Sequence, residues 1–433
     1  MNNQSISKKS LKHVWHPCSQ MKHFENNPLI PIKQAKGVWL YDFDGKRYLD
    51  AISSWWVNLF GHNHPKIKAA IKKQMNQLEH TMIAGLTHEP VVNLSAKLNQ
   101  LTKLGHCFYG SDGANAIEIA IKMSTHYWLL KSQPKKNKIV YLKNSYHGET
   151  LGALSVTSVP LFQRNYQQLL QSHIQVDSPD WRFKKHDQSE DEYAEEKLNE
   201  LKLVFEKKSP MISAIIIEPM VQCAGGMGMY SPNYLIGLRK LCDYYEIHLI
   251  ADEVAVGFGR TGKMFAIEYA NIKPDFICLS KGITGGFLPL SVTLTSNDIF
   301  NAFYDDEISH GFLHSHSYTG NPLACSAALA TLSIFKDEKI ISQNKIKSKK
   351  LNVLLNEIKH LPLHNFRHLG MIWAFELDKR IHIENFTKNC LDHGLFIRPL
   401  GQTVYLMPPY CISDNEMQFM VKIIKKAIEH EIH

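Results

Sequence analysis

The stretch IHLIADEVAVGFGRTG, residues 247–262, indicates the fold of the chain. Its first half is apolar enough for a β-strand that is buried on both faces, and the strand ends in Asp252 and Glu253. A glycine-rich loop, GFGRTG, follows these two acids. Because ligands of open α/β sheets bind at the carboxyl ends of the strands, this pattern predicts a functional site at Asp252.

The loop GFGRTG fits the GxGxxG pattern of dinucleotide-binding folds, so a nucleotide-dependent oxidoreductase is one alternative. In that fold the first glycine follows the strand directly, since the tight turn places the pyrophosphate on the next helix. Here five residues separate the apolar run from the first glycine, and the segment KMFAIEYA behind the loop is a weak helix candidate. The context therefore argues against a nucleotide site.

A lysine follows the next buried strand along the chain. The apolar segment DFICLS leads into Lys281 and the small residues GITGG, 29 residues after Asp252. An acid and a lysine at neighbouring strand ends indicate pyridoxal phosphate chemistry, in which the lysine forms an imine with the aldehyde and the carboxylate pairs with the pyridinium nitrogen. The alternatives are a surface lysine, and an acid that caps a turn or pairs with Arg260.

Short apolar runs alternate with amphipathic segments through the middle of the chain. The runs include HCFYG, KIVYLK, AIIIEP, IHLIAD, DFICLS and PLSVTLT. This alternation predicts an α/β fold with a mostly parallel sheet that is covered by helices on both faces. Near the start, GVWLYDFDGKRYLD predicts a β-hairpin that turns at Asp44-Gly45, and the C-terminal segments indicate a further α+β unit.

Composition excludes several classes of protein. The 433 residues are 44% hydrophobic and 21% charged, which is ordinary for a globular protein, and the net charge of +8 is scattered along the chain. Without a dense basic stripe, nucleic-acid binding is not expected. The eight cysteines contain no CxxC pair and no uncharged run is long enough to span a bilayer, so we expect a reduced, cytoplasmic protein.

Two HxH pairs, His62/His64 and His314/His316, are the only pattern that suggests a metal. Two histidines two positions apart with no third ligand in view form a weak site. We expect no metal.

A turn that begins a helix is a candidate phosphate site. In FYGSDGANAIEIAIKM a strand is followed by a turn at Asp112-Gly113-Ala114 and then by a long helix, whose first N–H groups can bind a dianion. Tyr146, after the strand KIVYLK, is placed to stack on a cofactor ring. A plain turn and a packed loop tyrosine are the alternatives.

Six stretches together resemble the class III aminotransferases, a pyridoxal-phosphate-dependent family of fold type I. They are YGSDGANAIEIAIK, YHGET, IIIEPMVQCAGGM, LIADEVAVGFGRTGKMFAIE, CLSKGITGG and TGNPLACSAALA, in the family's order. The resemblance implies a large cofactor-binding domain over residues 61–325 with a mixed, mostly parallel sheet, and a smaller α+β domain from residues 1–60 and 326–433. It makes Asp252 the pyridinium partner and Lys281 the Schiff-base lysine.

The resemblance also implies the remaining site residues. The implied catalytic residues are Lys281, Asp252 and Tyr146. The implied cofactor-binding residues are Gly113 and Ala114 at the phosphate, Tyr146, Asp252 and Lys281, and His316 and Ser317 contributed by a partner subunit. The implied substrate-binding residues are Trp55, Tyr146, Lys281, Ser315, Arg398 and Tyr405. A homodimer with shared active sites follows from this assignment.

Three stretches, HVWHPCSQM, SSWWVNLFGHNHP and IRPLGQTVYLMPPY, are most similar to the biotin-pathway members of the family. They imply that the acceptor is 8-amino-7-oxononanoate and the donor is S-adenosyl-L-methionine. Cys18 stands where well-known members have a tyrosine, Ser315 replaces a glycine and Val256 replaces a threonine. Another donor such as lysine, or another ω-amino acid substrate, is therefore the alternative.

Overall fold

The computed structural model describes residues 2–25 and 27–432. Their contacts divide the chain into two compact units: unit 1 is Met1–Pro65 with Lys345–His433, and unit 2 is Lys66–Asn344. The predicted domain boundaries, at 60/61 and 325/326, stay predictions. No helix in the described ranges is long and apolar enough to cross a membrane.

The described chain alternates helices with strands. The helices are α1 Asn3–His13, α2 Ser53–Trp56, α3 Pro65–Met75, α4 Glu89–Thr102, α5 Gly113–Leu130, α6 Leu151–Ser155, α7 Pro160–Gln163, α8 Glu190–Lys208, α9 Pro232–Tyr244, α10 Asn297–Ala302, α11 Pro322–Asp337, α12 Ile340–Leu355, α13 Ile383–Asp392 and α14 Asp414–Ile432. The strands are β1 Ile32–Lys36, β2 Trp39–Asp42, β3 Arg47–Asp50, β4 His106–Gly110, β5 Lys138–Leu142, β6 Ile174–Val176, β7 Ile212–Ile217, β8 Val221–Gln222, β9 Gly228–Met229, β10 His248–Asp252, β11 Phe276–Leu279, β12 Ser291–Thr295, β13 Leu363–Leu369, β14 Ile372–Leu377, β15 Leu395–Phe396 and β16 Thr403–Leu406. Short 3₁₀ segments include Ala266–Tyr269 and Lys281–Thr284.

Unit 2 is built on a seven-stranded sheet in the order β4-β12-β11-β10-β7-β5-β6. Neighbours from β11 to β6 pair in parallel, while β12 is antiparallel to both β11 and β4. The strands β7, β10 and β11 are buried along their whole length, as expected for strands covered on both faces. The prediction of an α/β fold with a mixed, mostly parallel sheet is confirmed.

Helix α5 packs against this sheet through an apolar face. Ala116, Ile117, Ala120 and Met123 on α5 belong to the same buried cluster as the side chains of the central strands. Helix α11 begins at Pro322, is capped by Asn321, and packs against α4 and against the 3₁₀ segment Lys281–Thr284. These contacts place α11 within unit 2.

Unit 1 combines the two ends of the chain. Strands β2 and β3 form the predicted hairpin, and β15 adds to β3 in parallel, so that residues 395–396 complete a four-stranded sheet begun at β1. A second sheet has the order β13-β14-β16 and is antiparallel throughout. Helix α14 buries its apolar face, including Met417, Ile424 and Ile428.

The short element α2 is a left-handed turn. Ser53, Ser54, Trp55 and Trp56 have φ values of 51°, 46°, 68° and 74°. A left-handed residue that carries a side chain costs about 1–2 kcal/mol, so a run of four persists only where its surroundings hold it in place. The surroundings of α2 are described below.

Candidate active site

Three neighbouring strands of unit 2 end in ionisable residues at the same edge of the sheet. Asp252 is the last residue of β10, Glu218 follows β7, and Lys281 comes two residues after β11. The strands β7, β10 and β11 run in parallel, which brings their carboxyl ends together. This is the edge at which open α/β sheets bind ligands, as the sequence predicted.

Asp252 is held by a buried histidine. Its Oδ2 lies 2.7 Å from Nδ1 of His147, and its Oδ1 accepts a hydrogen bond from the amide of Val254 at 3.0 Å. The side chain of His147 is fully buried, and that of Asp252 is 5% exposed. Nε2 of His147 has no hydrogen-bond partner among the described residues. Asp252 therefore keeps its orientation while lone pairs on its oxygens remain for a further donor.

Lys281 lies in an unusual backbone conformation at the start of its 3₁₀ segment. Its φ is 41°, in the left-handed region, and the segment ends at Gly285, which is also left-handed. Burial lowers the pKa of the Lys281 amine, although the negative charge of Asp252, with smaller effects from Cys223 and Glu218, acts in the opposite direction. A lowered pKa favours the neutral amine that reacts with carbonyl groups.

Glu218 is a second buried carboxyl group at this edge. Burial, and next the charge of Asp252, raise the pKa of Glu218 to about 8. Its two oxygens accept hydrogen bonds from the amides of Tyr146 and Cys223, at 3.0 and 2.9 Å. Glu218 therefore fixes the backbone of Tyr146, the residue predicted to stack on the cofactor.

Tyr146 itself lies in the loop after β5. Its hydroxyl group donates to Glu149 at 2.8 Å, and its ring meets Phe162 edge-on, with 5.2 Å between the centroids. A Cβ atom added to the neighbouring Gly148, whose φ is 132°, would lie 2.5 Å from the Cβ atom of Ala114. The loop that carries Tyr146 thus packs directly against the start of α5, and this approach requires glycine.

The first turn of α5 offers free amides. Asp112 caps the helix: its side chain accepts from the amide of Asn115 at 3.0 Å and its carbonyl group accepts from the amide of Ala116. In the described part of the chain, the amides of Gly113 and Ala114 have no acceptor, as expected for the first positions of a helix. An added Cβ atom on Gly113 would lie 2.8 Å from Val254, just after Asp252. These amides therefore lie close to the end of β10.

The glycine-rich loop GFGRTG is closed by Glu253. This fully buried carboxylate accepts hydrogen bonds from the amides of Ala266 and Ile267, at 2.9 and 2.7 Å. An added Cβ atom on Gly257 would lie 2.7 Å from the carbonyl oxygen of Glu253, and Gly259 has a φ of 87°. The glycines are required by these tight turns, which supports the interpretation of GFGRTG as a loop.

The residues predicted to serve a partner subunit lie on a loop of unit 2. Ser315 and Ser317 are exposed, and His316 is half-buried. The loop is closed by Thr319, whose hydroxyl group donates to the carbonyl oxygen of His316 at 2.7 Å. His314 lies beside Lys122, with 2.9 Å between Nδ1 and Nζ. In the described ranges, no group of three His, Cys, Asp or Glu residues could hold a metal.

The substrate-contact residues predicted in unit 1 form a cluster of their own. The guanidinium group of Arg398 lies 5.1 Å from the ring of Trp55 and donates to the carbonyl oxygen of Cys18 at 2.9 Å. Trp55 is 42% exposed, whereas Tyr405 is only 1% exposed and meets the ring of Trp56 edge-on. The structure thus brings Trp55, Arg398 and the backbone of Cys18 together, whereas Tyr405 is buried against Trp56.

Two residues of the site had no role in the sequence prediction. The sequence pattern assigns no role to His147, beside Tyr146, and indicates Glu218 only as the end of an apolar run. A signal is available for Glu218, which directly follows β7 at the same edge as Asp252, whereas His147 lies in the loop five residues after the end of β5. The sequence does not show the hydrogen-bond partner of either side chain.

Comparison with known proteins agrees with this geometry. The family model for aminotransferase class-III matches residues 20–428. A Helicobacter pylori protein named adenosylmethionine-8-amino-7-oxononanoate aminotransferase is 48% identical, over 98% of this chain and 96% of that protein. A Staphylococcus aureus protein of the same name is 38% identical, over 99% of this chain and 98% of that one.

Solved structures of aminotransferases are similar to this chain as well. The Methanocaldococcus jannaschii adenosylmethionine-8-amino-7-oxononanoate aminotransferase superimposes with a TM-score of 0.93 at 35% identity, covering 99% of both chains. An (S)-enantioselective omega-transaminase from Thermomicrobium roseum gives a TM-score of 0.95 at 28% identity, covering 100% of both chains.

Proposed function

The chain belongs to the class III aminotransferases, which are pyridoxal-phosphate-dependent enzymes, and we propose that it aminates 8-amino-7-oxononanoate to 7,8-diaminononanoate in biotin biosynthesis. One observation carries the proposal: a protein named for this reaction is 48% identical over nearly the whole of both chains. The Lys281 and Asp252 pair at the edge of the sheet supplies the chemistry that this reaction needs.

The residues present fit pyridoxal phosphate. Asp252 offers an oriented carboxylate for the ring nitrogen, Lys281 offers an amine with a lowered pKa for the aldehyde, and the amides of Gly113 and Ala114 offer donors for the phosphate. Tyr146 is proposed to cover the ring. When bound, the cofactor carries the amino group between the two substrates and withdraws electrons from the reacting carbon.

The side chains of unit 2 then have distinct tasks. Lys281 Nζ accepts a proton from the substrate carbon and returns it, a general acid–base role that contributes roughly 10²–10⁴ in rate. Asp252 keeps the ring nitrogen protonated, and His147 keeps Asp252 oriented. Glu218 holds the amide of Tyr146 in place.

Arg398 and Trp55 are proposed to bind the acceptor. The guanidinium group can hold a carboxylate through two parallel hydrogen bonds, and the half-exposed indole offers a flat wall to an aliphatic chain. Ser315 and Tyr405 keep the substrate-binding roles that the family resemblance implies.

S-adenosyl-L-methionine is the proposed amino donor, on the strength of the relatives' names. Cys18 lacks the reach and stacking area of a tyrosine, so lysine is the alternative donor. Transamination of another ω-amine is the second candidate function, favoured by the TM-score of 0.95 to the Thermomicrobium roseum structure.

We also propose a cytoplasmic homodimer in which His316 and Ser317 bind the phosphate of the neighbouring subunit's cofactor. The exposure of Ser315 and Ser317 on their loop supports this assignment, and the widely spaced cysteines support a reducing compartment. Sedimentation of the purified protein measures the assembly directly.

A donor screen tests the proposed reaction. Purified enzyme is given 8-amino-7-oxononanoate with S-adenosyl-L-methionine, with lysine or with a simple ω-amine, and diamine formation is followed. Turnover with S-adenosyl-L-methionine is expected. Turnover with lysine alone would identify lysine as the donor and leave the proposed acceptor unchanged. If no donor yields the diamine, the proposed acceptor is refuted.

A further inference from the structure

A single buried carboxylate holds the left-handed turn α2. Asp50 is 0% exposed and accepts three hydrogen bonds from residues that follow it: from the amide of Ile52 at 3.3 Å, from Ser54 Oγ at 2.7 Å and from His62 Nε2 at 3.0 Å. Two of these donors come from the turn and its N-terminal neighbour. The carboxylate therefore ties the residue before the turn, Ile52, to the second residue of the turn, Ser54.

His62 orients that carboxylate in turn. Asn58 Nδ2 donates to His62 Nδ1 at 2.8 Å, so His62 carries its proton on Nε2 and donates it to Asp50. The chain of hydrogen bonds runs from Asn58 through His62 to Asp50 and on to Ser54, all within residues 50–62. Of the four left-handed residues, Ser54 is the one that this network contacts through its side chain.

Other contacts fix the ends of the turn and leave one side chain outside. Ser53 Oγ donates to the carbonyl oxygen of Met407 at 2.6 Å, and Trp56 is buried edge-on against Tyr405. Trp55, between them, is 42% exposed and carries Arg398 over its ring. The left-handed conformation thus points Trp55 outward while its neighbours point inward.

We propose that Asp50 and His62 are positioning residues for substrate binding, because they hold the left-handed turn that presents Trp55 to the acceptor's aliphatic chain. The proposal rests on the function proposed above for Trp55. Residues with side chains leave the left-handed region when the contacts that hold them are lost. Loss of the Asp50 carboxylate therefore redirects Trp55 without touching the groups that carry out the chemistry.

Steady-state kinetics of three holoenzyme variants test the role. Asp50→Asn, Ser54→Ala and His62→Phe each remove charge or a donor from the network, and each should raise the KM for the acceptor about tenfold while kcat changes less than about threefold. The matched control is Asp42→Asn. Asp42 is a 3% exposed carboxylate of the same unit, which accepts from the amides of Lys46 and Asp44 and serves the hairpin instead.

A double-mutant cycle separates positioning from general damage. In a Trp55→Ala background, Asp50→Asn should produce no further rise in KM, because the residue that it positions is already gone. An equal rise in both backgrounds would overturn the proposal. Ser54→Ala, which removes one hydroxyl group, provides the same comparison if Asp50→Asn folds poorly.

Amide hydrogen exchange of residues 51–58 adds a readout that needs no substrate. Faster exchange in Asp50→Asn and Ser54→Ala, with no change in Asp42→Asn, supports the anchoring of the turn even if the acceptor proves to be another compound. Unchanged exchange in both variants contradicts it. Failure of the proposed reaction would show separately, as a wild-type enzyme that forms no diamine.

Discussion

Two aspartate–histidine pairs, one in each unit, each contain a buried aspartate but serve different purposes. Asp252 lies 2.7 Å from Nδ1 of His147 in unit 2, and Asp50 lies 3.0 Å from Nε2 of His62 in unit 1. Asp252 accepts hydrogen bonds from His147 and the amide of Val254, whereas Asp50 accepts from the amide of Ile52, Ser54 and His62. Asp252 of the first pair is the last residue of a buried parallel strand. Asp50 of the second pair accepts hydrogen bonds from the left-handed turn α2 and from the residue before it.

The two aspartates differ in the hydrogen-bond donors that they have besides the histidine. Asp50 accepts from the amide of Ile52 and the hydroxyl group of Ser54, two and four residues further along the chain, so this carboxylate stabilises the local backbone conformation. Asp252 retains acceptor capacity at the ligand-binding edge of a sheet, so it can serve a bound group. Buried carboxylates are costly unless they are satisfied, and these two are satisfied in different ways.

The largest effect is expected at the lysine beside Asp252. Lys281→Ala removes the amine that moves the proton, so turnover should fall by at least roughly 10²–10⁴-fold and the absorbance band of the bound cofactor should change. Lys263→Ala, on a half-buried lysine of the same unit, is the control. Substantial turnover with a normal cofactor spectrum in Lys281→Ala would refute the assignment.

Asp252→Asn sharpens the comparison of the two pairs. An amide cannot keep the ring nitrogen protonated, so kcat should fall roughly 100-fold while hydrogen exchange at residues 51–58 stays unchanged. Asp50→Asn should give the opposite result, with a raised KM, faster exchange and a normal cofactor spectrum. If both variants lose kcat equally, the two pairs do not have separate roles.

Arg398→Lys tests the proposed binding of the acceptor's carboxylate. A lysine keeps the charge but loses the planar pair of donors and the contact with Trp55, so the KM for the acceptor should rise roughly 10- to 50-fold. Binding of cofactor, followed by its absorbance, should not change. An unaltered KM would remove Arg398 from the substrate site.

His147→Phe should have a smaller effect than loss of Asp252. The ring is replaced by one of similar size, but the carboxylate loses one donor, so kcat should fall about tenfold. In an Asp252→Asn background the same change should add little, since the two residues act together. His364→Phe, in an exposed histidine–aspartate pair, is the control. Independent losses would mean that His147 acts elsewhere.

The buried residue His248 belongs to neither of these pairs and should affect stability alone. Burial against Trp128 and Phe276 lowers the pKa of His248 from 6.5 to about 4. The unfolded chain therefore takes up a proton between pH 6.5 and 4 that the folded chain does not, and stability present above pH 6.5 is lost on acidification.

The corresponding measurement is the melting temperature at pH 7 and pH 5. The loss is at most about 3 kcal/mol over the full range, or a few degrees, and it should be smaller in His248→Phe than in the wild type. Activity at neutral pH should be unaffected. An identical pH dependence in the two proteins would show that His248 does not titrate in this way.

The sequence predicts the large unit well because its signals are local. The apolar run before Asp252 and the run before Lys281 gave two adjacent strands, and parallel pairing of β10 with β11 confirms the expectation that they meet at one edge. Asp44-Gly45 likewise acts through the backbone conformation of a tight turn, and the hairpin that it predicts is confirmed.

The roles of Asp50 and His62 could not be read in the same way. His62 stood out only as part of an HxH pair, a weak metal pattern, whereas its partners are Asp50 and Asn58. Those contacts depend on a left-handed run in Ser53–Trp56, residue types that rarely adopt this conformation. Intrinsic propensity cannot indicate a conformation that is held from outside, and the sequence likewise does not show the hydrogen-bond partners of His147 and Glu218.

The pairing of β3 with β15 has a consequence for synthesis on the ribosome. About 345 residues separate Asp50 from Leu395, so at roughly 5–20 residues per second the hairpin emerges about 17–70 seconds before the strand that completes its sheet. Unit 2, encoded between them, is fully synthesised first. The nascent hairpin therefore waits with an open edge, whose unpaired backbone groups can pair with other chains until β15 is synthesised.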